Sequence, residues 1–97
     1  MYNIIAKINI SDSVPTPKSN GIKAGYSPHH KFKNVDYLVS GFHDYGDDLL
    51  HFPGGQLEVK IAFPSWEYFG SDVRVGDCFE VREINRIVGI GVVEVIA

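Results

Sequence analysis

The sequence predicts an all-β fold, a small antiparallel barrel. Three observations carry that reading. Apolar and polar side chains alternate strictly at the start of the chain, short β-branched and aromatic runs are cut by Gly and Pro turns, and no window of about eleven residues shows a helical stripe. Ninety-seven residues, 44% of them hydrophobic, make one domain spanning residues 1–97 around a single core. A chain of this size buries roughly 60–65% of its unfolded surface, enough for a compact core without staples.

The elements follow in order. Tyr2, Ile4, Ala6, Ile8 and Ile10 fall on one face and Asn3, Lys7 and Asn9 on the other, the period of a half-buried strand. Residues 11–28 lose that pattern, and Pro15 and Pro17 deny the ladder its donors, so this segment is a long loop of the kind that usually carries function. From Lys31 to Phe42, the residues Phe32, Val35, Tyr37, Leu38, Val39 and Phe42 give one or two strands bent near Ser40 and Gly41. Asp44-Tyr45-Gly46-Asp47-Asp48 and Phe52-Pro53-Gly54-Gly55 are turns. Leu57, Val59, Ile61 and Phe63 alternate in a strand that stops at Pro64. Residues 65–77 are a connection, Phe79 and Val81 open the next strand, and Arg86 to Ile96 form the last. That makes six strands. In the last one apolar residues occupy both parities and Gly89 and Gly91 interrupt them, which marks a close backbone approach at a barrel corner. Closing the barrel also removes exposed edges.

Composition excludes several functions. Cys78 is the only cysteine, so an internally disulfide-bonded secreted scaffold is ruled out. No apolar run reaches the roughly 18 residues of a membrane span and no signal-peptide layout opens the chain, so a cytoplasmic protein without a membrane partner is expected. The formal charge of −3 is mild but uneven. Residues 1–35 hold five lysines against Asp12 alone, whereas residues 36–97 hold four basic against eleven acidic side chains. Such a split gives a basic face to a weakly acidic protein.

Candidate chemistry is sparse. His29 and His30 are neighbours and point to opposite faces of a strand, and a His43–His51 pair with Asp44 or Asp48 matches no zinc spacing, so the histidines are expected to be exposed, partly stacked rings. Asp44, Asp47 and Asp48 lack the ligand spacing of a calcium loop and read as a solvated turn. Cys78 lies between Asp77 and Glu80, whose charges oppose a thiolate. No catalytic residue, metal, cofactor or small-molecule substrate is therefore expected. The sharper feature is the run of Lys18, Lys23, Lys31 and Lys33 interleaved with Tyr26, His30 and Phe32: lysines neutralise phosphates and rings stack on bases. Lys31 and Lys33 share a strand face and can act together. Trp66, Tyr68 and Phe69 crowd the connection after Pro64, either as a protein-docking surface or as the cap of an open barrel end.

The order of these motifs resembles a known family. Gly25-Tyr26-Ser27-Pro28, Phe52-Pro53-Gly54-Gly55, Gly76-Asp77-Cys78-Phe79-Glu80-Val81-Arg82-Glu83 and Arg86-Ile87-Val88-Gly89-Ile90-Gly91-Val92-Val93 together resemble the C-terminal, third domain of bacterial elongation factor Tu. The family pattern has Tyr-Arg-Pro, Pro-Gly before a strand, Gly-x-x-Phe-x-x-Arg-Glu and Arg-x-Val-Gly-x-Gly-Val-Val. The resemblance implies a six-stranded antiparallel Greek-key barrel that binds the T-stem of aminoacyl-tRNA and contacts the nucleotide-exchange factor. It places Arg82 and Glu83 near the tRNA backbone and Lys18 near the arginine of a Gly-Gly-Arg motif. Three positions depart from the pattern: Gly-Gly-Arg reads Thr16-Pro17-Lys18, the arginine of Tyr-Arg-Pro is Ser27, and Gly-Gly after Arg82-Glu83 is Ile84-Asn85. No Gly-x-x-x-x-Gly-Lys-Ser/Thr stretch is present, so the barrel is read as free-standing or excised, without a GTPase domain.

Two non-enzymatic expectations follow. One is a translation-related accessory that touches tRNA or another structured RNA through Lys18, Lys23, Tyr26, Lys31, Lys33, Arg82, Glu83 and Arg86. The other is a protein-interaction module that borrows the factor's surface, engaging a partner of the translation machinery or acting as immunity protein or antagonist to a toxin, with Trp66, Tyr68 and Phe69 in the contact.

Overall fold

The computed structural model describes residues 1–97. The chain is all-β, as expected, with strands β1 (Ile4–Ile10), β2 (His29–Phe32), β3 (Val39–Ser40), β4 (Phe42–Asp44), β5 (Gln56–Ala62), β6 (Cys78–Glu83) and β7 (Arg86–Ile96). They form one antiparallel sheet in the order β3-β2-β6-β7-β1-β5-β4. The two ends of that sheet are one continuous piece of chain, because β3 and β4 flank Gly41. The backbone bonds from Gly41 to Pro28, from His43 to Tyr26 and from Gly25 to His43 draw the ends into a nearly closed barrel. Counted as one bent stave, β3 and β4 make the six strands that the alternation predicts. The bend needs glycine, since a Cβ at Gly41 would lie 2.8 Å from both Ile61 and Phe63. β1 pairs with β5 and β7 rather than with β2, and residues 11–28 carry the crossing between them. Within that crossing Ile22 is buried and pairs with His51.

The alternation in β1 buries Ile4, Ala6, Ile8 and Ile10 against Val59 and Ile61 of β5, Phe79 and Val81 of β6 and Val88 and Val93 of β7. The double parity of β7 has a local cause. Between the pairs Val81–Gly89 and Arg82–Ile87, and again between Ile5–Val95 and Ala6–Val93, β7 carries one residue more than its partner strand. These β-bulges at Val88 and Glu94 shift the phase of the strand. Val88, Gly89, Gly91 and Val93 therefore face inward, while Ile90, Val92 and Val95 face outward and are exposed.

Two expectations need correction. The connection after Pro64 does contain helix, one turn from Trp66 to Phe69 (α1) followed by a 3-10 turn from Gly70 to Asp72. Four residues are too few to leave a stripe in the sequence. Phe69 is no docking residue: it is fully buried, edge-on to Phe63 at 5.3 Å, and Trp66 stacks on Phe63 at 5.8 Å. Together they close one end of the barrel, and of the three aromatics Tyr68 alone is exposed. Trp66→Ala is accordingly expected to lower stability by about 2 kcal/mol, read as a lower urea midpoint at constant m by circular dichroism, because it opens a half-buried aromatic contact. No helix is long and apolar enough to cross a membrane.

Candidate functional site

Four of the residues singled out for binding meet at the β6–β7 hairpin. Glu83 and Arg86 face each other across the two-residue turn Ile84-Asn85. The crossing loop delivers Lys18 and Tyr26 to the same place. Glu83 Oε2 accepts a bond from the Tyr26 hydroxyl and one from Lys18 Nζ at 2.7 Å, while Oε1 accepts from Arg86 Nη2 at 2.8 Å. The lysine ammonium lies 5.7 Å above the Tyr26 ring. Partial burial pushes the Glu83 carboxyl up, but the bonds from Lys18 and Tyr26 and the charges of Lys18 and Arg86 outweigh it and hold the group ionised. Burial, reinforced by the Glu83 bond and charge, pushes the Tyr26 phenol well above its ordinary range. A carboxylate held low and already accepting three donors is a poor general base. This geometry suits a rigid contact surface.

The tip of the hairpin is strained. Ile84 has φ +57°, at the turn position where glycine is favoured. A β-branched side chain there costs roughly 1–2 kcal/mol relative to the right-handed regions. Nothing in the fold compensates, since the side chain is 67% exposed. In the sequence this position stands out only as Ile-Asn where the pattern it resembles has Gly-Gly, which does not show that the backbone adopts a conformation glycine would prefer.

The remaining candidates scatter. Arg82 lies beside Glu80, with 3.5 Å between Nε and Oε1, and faces His29 across the β2–β6 ladder. Lys23 is exposed in the crossing loop. Lys31 and Lys33 do not share a strand face, because β2 ends at Phe32. They line one open groove of about 370 Å³ together with Cys78, Glu80 and Ile90. The Lys31 ammonium is turned back onto the carbonyls of Phe32 and Val35. Elsewhere Lys7 pairs with Glu94, Lys60 sits over the Tyr2 ring, and Arg74 donates to the carbonyls of Ser71 and Val73. Of nine Lys and Arg side chains, only Lys23 and Lys33 have no such partner.

The histidines also depart from expectation. His30 and His43 are buried, and their Nε2 atoms are 2.7 Å apart. Adjacent strand residues do face opposite ways, but β2 and β4 bring residues thirteen apart together inside the barrel. His30 Nδ1 must donate to the Val39 carbonyl at 3.1 Å, so in the neutral ring its Nε2 accepts from His43 Nε2–H, and His43 Nδ1 accepts from the Tyr45 hydroxyl at 2.7 Å. His51 lies beyond Tyr45 with its ring edge-on, and donates from Nε2 to Asp47 at 3.0 Å. Asp44 and Asp47 cap their own turns by accepting from Gly46 N–H and Leu49 N–H, as turn chemistry predicts. No three His, Cys, Asp or Glu side chains converge as metal ligands.

No family model matches the chain, and no curated protein sequence is significantly similar to it.

Proposed function

We propose that the chain is a non-enzymatic binding module whose partner is a protein, docked on the hairpin tip formed by Ile84 above the Lys18–Glu83–Arg86 cluster. The observation that carries this reading is the exposed, strained Ile84, an apolar group held out to solvent at a cost the fold does not recover. Backbone strain of this kind concentrates at ligand contacts. The locked charges around it give the partner a rim that is ordered before binding. A partner from the translation machinery, or a toxin directed at it, and a cytoplasmic setting are the parts of the proposal that rest on the resemblance to the elongation-factor barrel.

Structured RNA, tRNA included, is the competing partner, and the charge distribution disfavours it. Lys18 and Arg86 are paired with Glu83, and Lys31 and Lys33 line a separate groove, so no group of free cations converges on the hairpin to neutralise phosphates.

The test is capture on the immobilised chain from bacterial lysate, with and without ribonuclease. A stoichiometric protein that survives ribonuclease, stays on a Lys23→Glu/Lys33→Glu variant and is lost from Ile84→Gly is the expected result. RNA that washes off in salt and is lost from the lysine variant would overturn it. Ile84→Gly itself should leave stability unchanged or raise it by up to about 1 kcal/mol, since relief of the turn exceeds the added entropy of the unfolded chain. A fall in urea midpoint for that variant would contradict the strain.

A further inference from the structure

The outer wall formed by β1, β7 and β6 is separate from the hairpin tip. Ile90, Val92 and Val95 project from β7 in one row, 43%, 39% and 45% exposed. The bulges in β7 put them there, for they are the residues the shifted phase turns outward. Ladder partners set what flanks the row. Val92 stands between Lys7 of β1 and Cys78 of β6, and Ile90 stands between Asn9 and Glu80. One flank of the aliphatic row thus carries a cation and the other an anion. Both charges are only loosely engaged within the chain, Lys7 with Glu94 at 3.7 Å and Glu80 with Arg82 at 3.5 Å. The bent β3–β4 segment occupies both sheet ends, so no free strand edge is offered for pairing, and association must use side chains.

We propose that this wall binds a second copy of the chain about a two-fold axis parallel to β7. That axis lays the β1 flank of one copy on the β6 flank of the other, bringing Lys7 within reach of Glu80 twice, with Ile90, Val92 and Val95 packed between the sheets. The alternative in-plane axis, perpendicular to the strands, sets β1 against β1 and β6 against β6, and so opposes Lys7 to Lys7 and Glu80 to Glu80. Like charges in apposition select against it. The patch is three strands across, roughly 15 Å by 20 Å from ordinary strand spacings, about 600 Å² over the two copies, below the roughly 1,200 Å² at which standard interfaces begin, so the contact is a weak one. The dimer is therefore a concentration-dependent equilibrium with a Kd on the order of 10–100 µM.

Sedimentation of the full chain from about 1 µM to about 1 mM tests this. The expected result is a monomer–dimer equilibrium that Val92→Lys weakens more than about tenfold while circular dichroism stays unchanged. Lys7→Glu and Glu80→Lys should each weaken it, and the double exchange should restore it to within about threefold, which requires the two residues to meet across the interface. A second readout uses Cys78, which the dimer covers: its rate of reaction with a thiol reagent should fall as protein concentration rises through the Kd, and Val92→Lys should abolish that dependence. A chain that stays monomeric throughout, a dimer indifferent to Val92→Lys, a double exchange that weakens association further, or a thiol rate independent of concentration would each overturn the proposal.

Discussion

Replacing Gly89 by alanine should destabilise the barrel by about 3 kcal/mol or more, the most damaging single methyl group that can be added to this chain. A Cβ at that position lies well inside van der Waals contact with the Asn9 carbonyl oxygen and reaches to 3.3 Å from the Asn9 carbonyl carbon and 3.4 Å from Ile10 Cα. The obstacle is backbone on both sides. β7 and β1 are laddered from Ile10–Gly89 to Ile4–Ile96, so neither strand can retreat without losing that ladder. Gly91→Ala meets the Phe79 ring instead, with Cε2 at 2.6 Å and Cε1 at 2.7 Å. That ring is fully buried and packed on Phe32 at 5.0 Å, so it has nowhere to turn. Net stabilities near 5–15 kcal/mol are typical of single domains, and a loss of about 3 kcal/mol lowers the melting temperature by roughly 12–24 °C in a chain this long. Thermal unfolding of the two variants, with Gly46→Ala beside them, checks this. Gly46 has open space around it, so that variant carries only the penalty of its φ of +78°. Equal losses at all three positions would show that packing at the β1–β7 seam is not the cause.

The second large effect is acid sensitivity from the buried imidazole pair. Burial lowers the pKa of His30 from 6.5 to about 4 against the opposing pull of the Val39 carbonyl, and burial with the neighbouring His30 holds His43 well below 6.5. The sign follows from linkage. Both rings are neutral in the folded chain and take up protons near 6.5 when unfolded, so their contribution is complete above that pH and is lost as pH falls from 6.5 toward 4. At about pH 5 the loss from His30 alone is about 2 kcal/mol, and His43 adds in the same direction. A second proton on the pair would set two N–H groups against each other across 2.7 Å. Tyr26, Tyr45, Phe63 and Phe79 surround the rings, so no carboxylate is placed to relieve the charge. Urea unfolding at about pH 7.5 and about pH 5 should show the drop at unchanged m, above the range where carboxylates such as Glu83 protonate. The His30→Leu/His43→Leu variant should flatten the profile whatever its absolute stability. If that variant does not fold, histidine ring resonances in the parent chain decide: two sets must stay fixed across this pH interval. A flat profile in the parent, or four titrating rings, would falsify the neutral buried pair.

Much of the barrel was legible because strands announce themselves locally. The parity of β1, the stop at Pro64, the bend at Gly41 and the turns around Asp44 and Gly54 each follow from steric and hydrogen-bonding preferences of a few adjacent residues. Gly89 and Gly91 could be flagged in the same way, as gaps in an otherwise β-branched run. The candidate site was only half legible. Lys18, Tyr26, Glu83 and Arg86 could be named, yet the chain alone gave no sign that one carboxylate gathers the other three, nor that Lys31 spends its charge on its own backbone.

By itself the sequence determined the class of fold and the inward faces of β1 and β5, because alternation acts over neighbours and needs no knowledge of the rest of the chain. Only the tertiary structure decided which distant groups meet. His30 reaches His43 because β2 and the bent β3–β4 stave turn toward a common interior, and that depends on how the barrel closes. The outward row of Ile90, Val92 and Val95 depends on two extra residues in β7, which exist only relative to the partner strands they slip against. Phase along one strand is a local property; register between strands is a property of the pair, fixed by the cores and turns at both ends.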